Sequence, residues 1–370
     1  MTAPRYFIGL MSGTSADGID AALVRVGDDG DLSLLEVCES RYPETLRHAI
    51  FSLQREANCH LNDLAATDVE VAECFAGAVH QLLEKADANV ETISAIGSHG
   101  QTLLHQPNAE KPFSLQIGNP NVIAEMTGIT VVADFRGRDI AAGGQGAPLT
   151  PLFHRAMIEQ AAGNTDIDQL GVINIGGIAN ISLFTEATTF GFDIGPGNTL
   201  IDEWSREHIG QPYDANGDWA RTGDIDSTLL QWLLADPYFQ LATPKSTGQD
   251  YFNREWLQSA LRTDATPETV QRTLLELTAL TTANAIRDAK ITETYLCGGG
   301  VHNSLLRERI TAAAPQCNIM DTNALGLSPD WIEAAAFAWF AANAIDGIAL
   351  DTRSVTGALS TSILGAIYPS

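Results

Sequence analysis

Cysteine is scarce in this chain of 370 residues, and its spacing excludes the usual cysteine-based architectures. The five cysteines are Cys38, Cys59, Cys74, Cys297 and Cys317, and no two of them form a C-x-x-C pair. An odd number of widely spaced cysteines makes neither a disulfide framework nor a four-cysteine zinc site. We therefore expect free thiols and a cytoplasmic protein.

Membrane and metal signals are also missing from the sequence. No apolar run reaches the roughly 18 residues that a membrane-spanning helix needs, and Met1–Arg5 leads into a predicted strand rather than an apolar signal segment. The eight histidines form no H-E-x-x-H or comparable metal-ligand spacing. We therefore expect neither a membrane or secreted protein nor a zinc enzyme.

Basic residues are few, because 21 lysines and arginines stand against 46 acidic residues, a formal net charge of −25. Nucleic acids and anionic membrane surfaces both require a basic face, so neither is expected as a partner. The simplest interpretation of the acidity is solubility. Hydrophobic residues make up 45% of the chain, which indicates a globular protein, and the length suits two domains.

Two common nucleotide-binding motifs, G-x-x-x-x-G-K-[ST] and G-x-G-x-x-G, are absent, which disfavours P-loop and Rossmann folds. Lys245–Thr247 resembles part of a P-loop but lacks its upstream glycine. Glycine itself is abundant, and three glycine-rich turns each follow a predicted strand: Ser12–Ser15, Gly176–Gly177 and Gly298–Gly300. Backbone N–H groups in such turns suit phosphate. Together the turns predict a nucleotide between two domains, although the first alone equally fits an ordinary hairpin.

Strands and helices alternate after an antiparallel start. Tyr6–Leu10, Ile19–Val26 and Leu32–Val37 are predicted to form a meander, and Thr92–Gly97 a short strand followed by a loop at Ser98–Thr102. A proline in the first turn at Thr266-Pro267 predicts the start of a long helix.

The opening pattern of strand, glycine turn and strand recurs at Gly171–Phe184, after a polar segment that ends near residue 165. We predict an α/β protein with mixed sheets and a nucleotide cleft between two domains, residues 1–165 and 166–370. In an alternative arrangement, the C-terminal segment packs back on the first domain.

Two single carboxylates are candidate catalytic or ligand-binding groups. Asp193 ends a predicted strand just before Gly195–Gly197, where α/β folds place catalytic groups, and it can act as a general base. Capping the next turn is the alternative. Glu333 begins an otherwise apolar helix. It is either a ligand contact or a solvent-facing residue, since glutamate is also favourable near a helix N-terminus.

Four charged residues crowd the end of a further predicted strand: Asp134, Arg136, Arg138 and Asp139. An arginine there can hold a carboxylate or a sugar oxygen with two hydrogen bonds, while a local ion-pair cluster is the alternative. His99 and Gln101 follow the strand Thr92–Gly97 and are also candidates to face a ligand. Asp134 and Gln101 are included among the predicted substrate contacts.

Nine segments from about residue 7 to residue 369 closely resemble, in order, the anhydro-N-acetylmuramic acid kinases of bacterial cell-wall recycling. These segments are Gly9–Gly18, Gly97–Thr102, Gln116–Pro120, Val132–Arg136, Ala141–Leu149, Asn174–Asn180, Phe192–Asn198, Cys297–Gly300 and Glu333–Trp339. The resemblance implies the two-domain actin-like ATPase fold of sugar kinases and Hsp70. It also implies that 1,6-anhydro-N-acetylmuramic acid, ATP and water give N-acetylmuramic acid 6-phosphate and ADP.

The resemblance assigns Asp193 as the catalytic base and Arg138 and Glu333 as sugar contacts. The predicted ATP-binding residues, with the two later glycine turns included, are Ser12, Gly13, Thr14, Ser15, Ala16, Asp17, Gly18, Ile19, Gly176, Gly177, Gly298, Gly299 and Gly300. Water must attack C1 while O6 leaves toward the γ-phosphate, so a carboxylate must deprotonate that water. A nearby helix N-terminus is expected to favour the ionised form of Asp193.

Magnesium is an expected cofactor whose ligands stay open. Many sugar kinases of this superfamily carry an aspartate where this chain has Met11, and Asp17 is the nearest substitute, acting through water. A homodimer is what the family suggests. Two rival functions are a nucleotide-dependent switch of the actin type and a kinase for an ordinary, unbridged sugar.

Overall fold

The computed structural model describes residues 5–27, 32–55, 58–161, 166–243, 245–261 and 265–370. Its strands are β1 (Arg5–Ser12), β2 (Ile19–Val26), β3 (Leu32–Ser40), β4 (Ile93–Gln106), β5 (Phe113–Ile117), β6 (Val131–Ala133), β7 (Leu170–Ile175), β8 (Ile178–Phe184), β9 (Thr189–Pro196), β10 (Glu293–Cys297), β11 (Asn318–Asp321) and β12 (Ala366–Tyr368). Its α-helices are α1 (Glu44–Arg55), α2 (Leu61–Ala86), α3 (Pro120–Thr127), α4 (Phe135–Ala141), α5 (Thr150–Ala161), α6 (Thr199–Ile209), α7 (Ser227–Leu234), α8 (Arg254–Gln258), α9 (Pro267–Asp288), α10 (Ser304–Ala313), α11 (Ile332–Ile345) and α12 (Arg353–Thr356).

The chain divides into two compact units. Unit 1 comprises Met1–Gln160 and Trp331–Ser370, and unit 2 comprises Ala161–Asp330. The predicted domain 166–370 therefore needs correction at its C-terminal end, because residues from 331 onward belong to unit 1. The physical reason is that α11 packs on β1 and β4, while β12 pairs with β6. This arrangement is the stated alternative, in which the C-terminal segment packs back.

Unit 1 is built on a mixed sheet of order β12-β6-β4-β1-β2-β3, with β5 paired to β4. β2 pairs antiparallel with both β1 and β3, which confirms the predicted meander at the start of the chain. On its other side, β1 pairs parallel with β4. Alternate residues of a strand face opposite sides of the sheet. Accordingly, Ile8 and Leu10 join the buried cluster of α1 and α2, while Gly9 between them contacts α11.

Two glycines allow α11 to lie directly against this sheet. A Cβ on Gly9 would lie 1.8 Å from the carbonyl oxygen of Ala334, and one on Gly97 would lie 1.9 Å from that of Phe337. Neither backbone atom can move aside, so any side chain there would force the helix away from the sheet. This close packing fixes the first turn of α11, which carries Glu333.

The prediction of a loop at Ser98–Thr102 was wrong. β4 continues unbroken to Gln106, because its polar residues extend the pairing with β1 and then pair with β5. Ser98, His99 and Gln101 are all buried within this strand. A polar run normally indicates a loop, but here tertiary hydrogen bonds from Arg136 and to Gly13 satisfy the side chains of His99 and Gln101 inside the fold.

Unit 2 is built on a second mixed sheet, of order β11-β10-β7-β8-β9. β7, β10 and β11 are parallel neighbours, whereas β8 and β9 run antiparallel. The long helix α9 begins where predicted, with Thr266 as its N-cap and Pro267 in its first turn, and it is largely buried against the sheet. The predicted α/β class with mixed sheets is confirmed. In the described part of the chain, no helix has the length and apolarity to cross a membrane.

Candidate active site

The β1–β2 turn of unit 1 presents a short exposed tip on a buried base. Ser12, Ala16 and Ile19 are buried, while Gly13, Thr14 and Ser15 are exposed. The Ala16 N–H donates to the carbonyl oxygen of Gly13 at 3.1 Å, which closes the turn. The predicted ATP segment Ser12–Ile19 therefore forms a turn whose small residues leave room for a phosphate to approach the backbone.

Gln101 holds this turn from the neighbouring strand β4. It is completely buried; its Nε2 donates to the carbonyl oxygen of Gly13 at 3.0 Å, and its Oε1 lies 2.7 Å from the Ser12 hydroxyl. Both the nitrogen and the oxygen of the Gln101 side-chain amide therefore have hydrogen-bond partners within unit 1. The prediction of Gln101 as a substrate contact stays a prediction, and the observed hydrogen bonds give this residue a role in positioning the turn.

Asp17 lies on the exposed side of the same turn. One of its oxygens, Oδ1, accepts a hydrogen bond from Arg47 at 2.7 Å. Among the described residues, no group of three or more histidine, cysteine or acidic side chains is arranged to hold a metal. Mg²⁺ in phosphate-transfer sites commonly keeps several waters and uses one or two carboxylates with the substrate phosphates. Asp17 fits such a role through its second oxygen.

Buried hydrogen bonds join His99 of β4 to Arg136 of α4, whose charge acts on Glu333. Arg136 Nε donates to His99 Nε2 at 2.9 Å, and its NH1 donates to the carbonyl oxygen of Gly146 at 2.9 Å. His99 Nδ1 in turn donates to the carbonyl oxygen of Gly100 at 2.8 Å. Burial and the neighbouring Arg136 lower the pKa of His99 to about 3, so the ring is neutral. Burial raises the pKa of Glu333, against the opposing charge of Arg136.

The remaining charged residues of the α4 region have different environments. Asp139 is fully buried, and its two oxygens accept from the Gly146 N–H at 2.7 Å and the Thr356 hydroxyl at 2.9 Å, so it organises the following loop. Asp134 and Arg138 are exposed. Burial of part of its carboxyl raises the pKa of Asp134. Among the described residues, the Arg138 guanidinium has no hydrogen-bond or ion-pair partner, which leaves it available to a ligand.

In unit 2, three glycine segments meet at the ends of β7, β9 and β10. The Gly197 N–H donates to the carbonyl oxygen of Gly177 at 2.9 Å, and the Asn198 N–H to that of Gly176 at 2.8 Å. A Cβ on Gly300 would lie 2.3 Å from Cγ2 of Ile175. The predicted turns Gly176–Gly177 and Gly298–Gly300 are therefore brought together within this unit.

One buried hydroxyl lies beside these turns without a described partner. Thr199 Oγ1, in the first turn of α6, would be 2.7 Å from a Cβ on Gly177, and it makes no hydrogen bond among the described residues. A buried hydroxyl normally has a partner. A helix N-terminus and backbone N–H groups of a glycine turn together favour a phosphate at this point.

Asp193 lies within β9 rather than at its end. A break in the β8–β9 register pairs Ala179 with Gly195 but Asn180 with Asp193, which leaves Ile194 as an extra residue. Such bulges redirect a side chain and are common beside active sites. The Asp193 carboxylate oxygen Oδ2 accepts from the Ser246 hydroxyl and from the Thr247 N–H, both at 2.9 Å.

The pKa of Asp193 is raised, whereas the expected helix N-terminus would favour the ionised form and lower it. Burial raises its pKa above the ordinary value, and the hydrogen bonds from Thr247 and Ser246 only partly oppose this. Desolvation of the carboxylate therefore outweighs the hydrogen bonds that stabilise its charge. A raised pKa makes the ionised carboxylate a stronger base.

Sequence reasoning missed the segment that contacts Asp193. Lys245–Thr247 resembles only an incomplete P-loop in sequence, yet its backbone and its serine hold Asp193. The Tyr238 hydroxyl also donates to the Asp193 carbonyl oxygen at 2.6 Å. No spacing rule links residues more than 40 positions apart. The only available signal was a small hydroxyl-rich loop, Ser246-Thr247-Gly248, between two helices.

A cavity of about 690 Å³ in unit 2 is separate from this group. Phe192, Phe239 and Lys245 are among its lining residues, whereas Asp193 and the glycine turns are not. Its walls combine aromatic and aliphatic side chains with polar ones such as Asn284 and Asp288. The predicted catalytic residue Asp193 and the predicted ATP-binding turns therefore lie outside the lining of this cavity.

Comparison with known proteins places this geometry in a family. The model of the family described as anhydro-N-acetylmuramic acid kinase matches residues 5–370. The chain belongs to this family. The family prediction is thus confirmed, and with it the prediction of a kinase that uses ATP.

Relatives of the same description match along nearly their whole length. The chain is 46% identical over 368 residues to the anhydro-N-acetylmuramic acid kinase of Nitrosomonas europaea, covering 99% of this chain and 100% of the relative. It is 44% identical to that of Pseudomonas fluorescens, covering 98% and 99%. The relative from Xanthomonas axonopodis pv. citri is 46% identical, with 98% of each chain covered.

Solved structures give more distant likenesses. The activator of 2-hydroxyisocaproyl-CoA dehydratase from Clostridium difficile, with bound ADPNP, aligns at a TM-score of 0.45 and 11% identity, covering 91% of this chain and 94% of that chain. A ROK family glucokinase from Streptomyces griseus, in complex with glucose and AMPPNP, aligns at a TM-score of 0.39 and 14% identity, covering 91% and 99%. Likenesses at this level carry no argument about activity.

Proposed function

We propose that this chain opens the 1,6-anhydro bridge of anhydro-N-acetylmuramic acid with water and phosphorylates the released O6 from ATP. Water adds its oxygen to C1 and gives a proton to Asp193. The C1–O6 bond breaks, and O6 takes the γ-phosphoryl group. The products are N-acetylmuramic acid 6-phosphate and ADP, which belong to the recycling of peptidoglycan.

The observation that carries this proposal is the environment of Asp193. Its carboxylate is largely buried on the strand that leads into Gly195–Gly197, and it accepts two hydrogen bonds on one oxygen. A base for water must be ionised at working pH yet basic enough to accept a proton, and partial burial gives both properties. No separate acid is needed for O6, because phosphoryl transfer captures the oxyanion.

The turns of both units are proposed to bind ATP. Unit 1 supplies Ser12–Ile19, with the exposed tip Gly13–Ser15, and unit 2 supplies Gly176–Gly177 and Gly298–Gly300. Backbone N–H groups in the turns and the unpartnered Thr199 hydroxyl suit phosphate oxygens. Mg²⁺ would neutralise charge on the phosphates, with Asp17 contacting it through water.

The sugar is proposed to contact Arg138 and Glu333, with Asp134 nearby in sequence. N-acetylmuramic acid carries a lactyl carboxylate, which the exposed and unpartnered Arg138 guanidinium suits. Glu333, whose pKa is raised by burial, suits a hydroxyl or amide of the sugar. Replacing Arg138 with methionine should therefore raise KM for the sugar and leave KM for ATP near the wild-type value.

The cellular location and the oligomeric state of the protein are two further proposals. A reaction that consumes ATP takes place where ATP is available, so we infer a cytoplasmic enzyme. A homodimer is proposed from the family resemblance alone, and analytical ultracentrifugation measures it directly.

A substrate panel tests the proposed reaction. ADP release is measured with anhydro-N-acetylmuramic acid, free N-acetylmuramic acid and glucosamine, and without sugar. The proposal predicts rapid release only with the anhydro sugar. Equal release with free N-acetylmuramic acid would identify an ordinary sugar kinase, and release that ignores all sugars would favour a nucleotide-dependent switch.

A further inference from the structure

We propose that Ser246 and Thr247 position Asp193 by holding its Oδ2, so that Oδ1 is the oxygen that takes the proton from water. This inference rests on the proposed function, in which Asp193 is the general base. It adds a positioning residue, Ser246, and a defined proton-accepting atom to that reaction.

The first step is the number of contacts that fix Asp193. Its N–H donates to the carbonyl oxygen of Lys245 at 2.9 Å, and its carbonyl oxygen accepts from the Tyr238 hydroxyl at 2.6 Å. Ser246 and Thr247 also donate hydrogen bonds to Oδ2, so the residues 245–247 hold both the backbone and the side chain of Asp193. The side chain therefore has a fixed orientation before substrate binds, as general-base catalysis requires.

The second step is the difference between the two carboxylate oxygens. Oδ2 accepts two hydrogen bonds, whereas Oδ1 has no hydrogen-bond donor among the residues that the structure describes. A carboxylate oxygen that already accepts two donors is less basic than one that is free. Oδ1 is consequently the atom left to accept a proton from water.

The third step concerns charge around Asp193. The titratable groups of the adjoining segment are the Tyr238 phenol, whose pKa is raised by burial, and the Lys245 ammonium, which donates to the Tyr238 carbonyl oxygen at 3.0 Å. Across the sheet, β8 places the uncharged Asn180 opposite Asp193. No positive side chain contacts the carboxylate among the described residues. Its ionised form is stabilised mainly by the Thr247 N–H and the Ser246 hydroxyl, which oppose desolvation.

Of these two donors, only Ser246 can be removed by a side-chain substitution. Its side chain is exposed, so Ser246→Ala should leave the fold intact. Loss of the hydroxyl removes a bond to the ionised form, so the pKa of Asp193 should rise. A base is active only when ionised, so the acid limb of kcat/KM should move to higher pH.

The test is the pH profile of kcat/KM for the anhydro sugar at saturating ATP. Ser246→Ala should shift the acid limb upward by about 0.5 to 1 pH unit, and Ser246→Thr, which keeps a hydroxyl, should restore it. Thr243→Ala is the matched control, because it removes an exposed hydroxyl in the same segment without touching Asp193. An unshifted limb in Ser246→Ala, or an equal shift in Thr243→Ala, overturns the inference.

Tyr238→Phe separates positioning of the backbone from stabilisation of charge. It removes the hydroxyl that holds the Asp193 carbonyl oxygen but touches neither carboxylate oxygen. We expect kcat to fall about tenfold with the acid limb unmoved, by analogy with small misplacements of catalytic groups. If the acid limb of Tyr238→Phe moves as far as that of Ser246→Ala, both substitutions act through a general change in the fold. That result would contradict the specific role proposed for Ser246.

A second measurement does not depend on turnover. The carboxyl carbon of ¹³C-labelled Asp193, assigned by its loss in Asp193→Asn, is titrated by NMR in the wild type and in Ser246→Ala. A higher pKa in the variant supports the inference, and equal values overturn it. Failure of the proposed reaction appears separately, as an inactive wild type in the substrate panel.

Discussion

The first glycine turn of each unit follows the same sequence pattern, but the two turns are held in place by different means. In unit 1, side chains hold the turn, because Gln101 bonds to both Ser12 and Gly13. In unit 2, the backbone holds the turn, through Gly197 and its neighbour Asn198. The glycines of the two turns are therefore required for different physical reasons.

The space around these glycines shows the difference. A Cβ on Gly197 would lie 2.3 Å from the carbonyl oxygen of Gly176, whereas one on Gly13 would have nothing closer than Ser15 Oγ at 3.7 Å. Glycine at 197 is required by packing of one backbone on another. Glycine at 13 is not required by the fold, so any need for it comes from a ligand approaching the exposed tip.

The largest effect is expected from Gly197→Ala. Its Cβ would collide with a backbone oxygen that cannot rotate away, so the variant should lose about 3 kcal/mol of unfolding free energy and most ATP affinity. Gly13→Ala is the matched control and should unfold within about 0.5 kcal/mol of the wild type. Urea unfolding of both variants measures this. Similar losses in the two would end the distinction between the turns.

Acidification should separate the two units. In unit 1, burial lowers the pKa of His99 and His154 to about 3, so both stay neutral in the fold while the unfolded chain takes up protons below about pH 6.5. Unit 1 should therefore lose about 2 to 3 kcal/mol between pH 7.5 and 5.5.

Unit 2 should respond in the opposite direction. Burial raises the pKa of Asp202 to about 7, so the folded state binds a proton that the unfolded state releases, and stability should rise by about 1 to 2 kcal/mol as pH falls through 7. Hydrogen exchange read separately in β4 and α9 at both pH values measures the two trends. If hydrogen exchange shows that α9 opens more readily than β4 at pH 5.5, the assignment of acid sensitivity to the histidines of unit 1 is wrong.

A smaller loss is expected from Gln101→Leu. The change leaves the Ser12 hydroxyl and the Gly13 carbonyl oxygen without their buried partner, which should cost about 2 kcal/mol and loosen the unit 1 turn. Affinity for ATP should fall, while KM for the sugar should change little. If KM for the sugar rises and ATP affinity is unaffected, Gln101 is a substrate contact after all.

The smallest effect is expected from Arg47→Ala. Its ion pair with Asp17 lies on the surface, where such pairs contribute little, so stability should change by no more than about 0.5 kcal/mol. The freed Asp17 should bind Mg²⁺–ATP no more weakly than in the wild type. Calorimetry of ATP binding with and without Mg²⁺ checks this, and Asp17→Asn should weaken only the binding that contains Mg²⁺.

Local signals made much of the fold readable from the sequence. The β1–β2 hairpin consists of two almost continuously buried apolar strands around a small-residue turn, and Thr266 and Pro267 indicate the start of α9. Asp193 could be selected because it is an isolated carboxylate before a glycine turn. Each of these features depends on residues within about ten positions of one another.

Long-range contacts account for the failures. Gln101 and Gly13 are 88 residues apart, and Ser246 and Asp193 are 53 apart, so no local pattern connects them. The polar run in β4 suggested a loop because the partners that satisfy it come from α4 and from the β1–β2 turn. The raised pKa of Asp193 depends on burial, which is a property of the packed structure rather than of the sequence around it.

The central claim is that Asp193 acts on water and does not serve to bind ATP. Calorimetry of ATP binding and a turnover assay are therefore performed on Asp193→Asn, which keeps the shape of the side chain and removes its basicity. The account predicts an ATP Kd within about threefold of the wild type and a kcat lower by about 10³-fold. Turnover within tenfold of the wild type would contradict it.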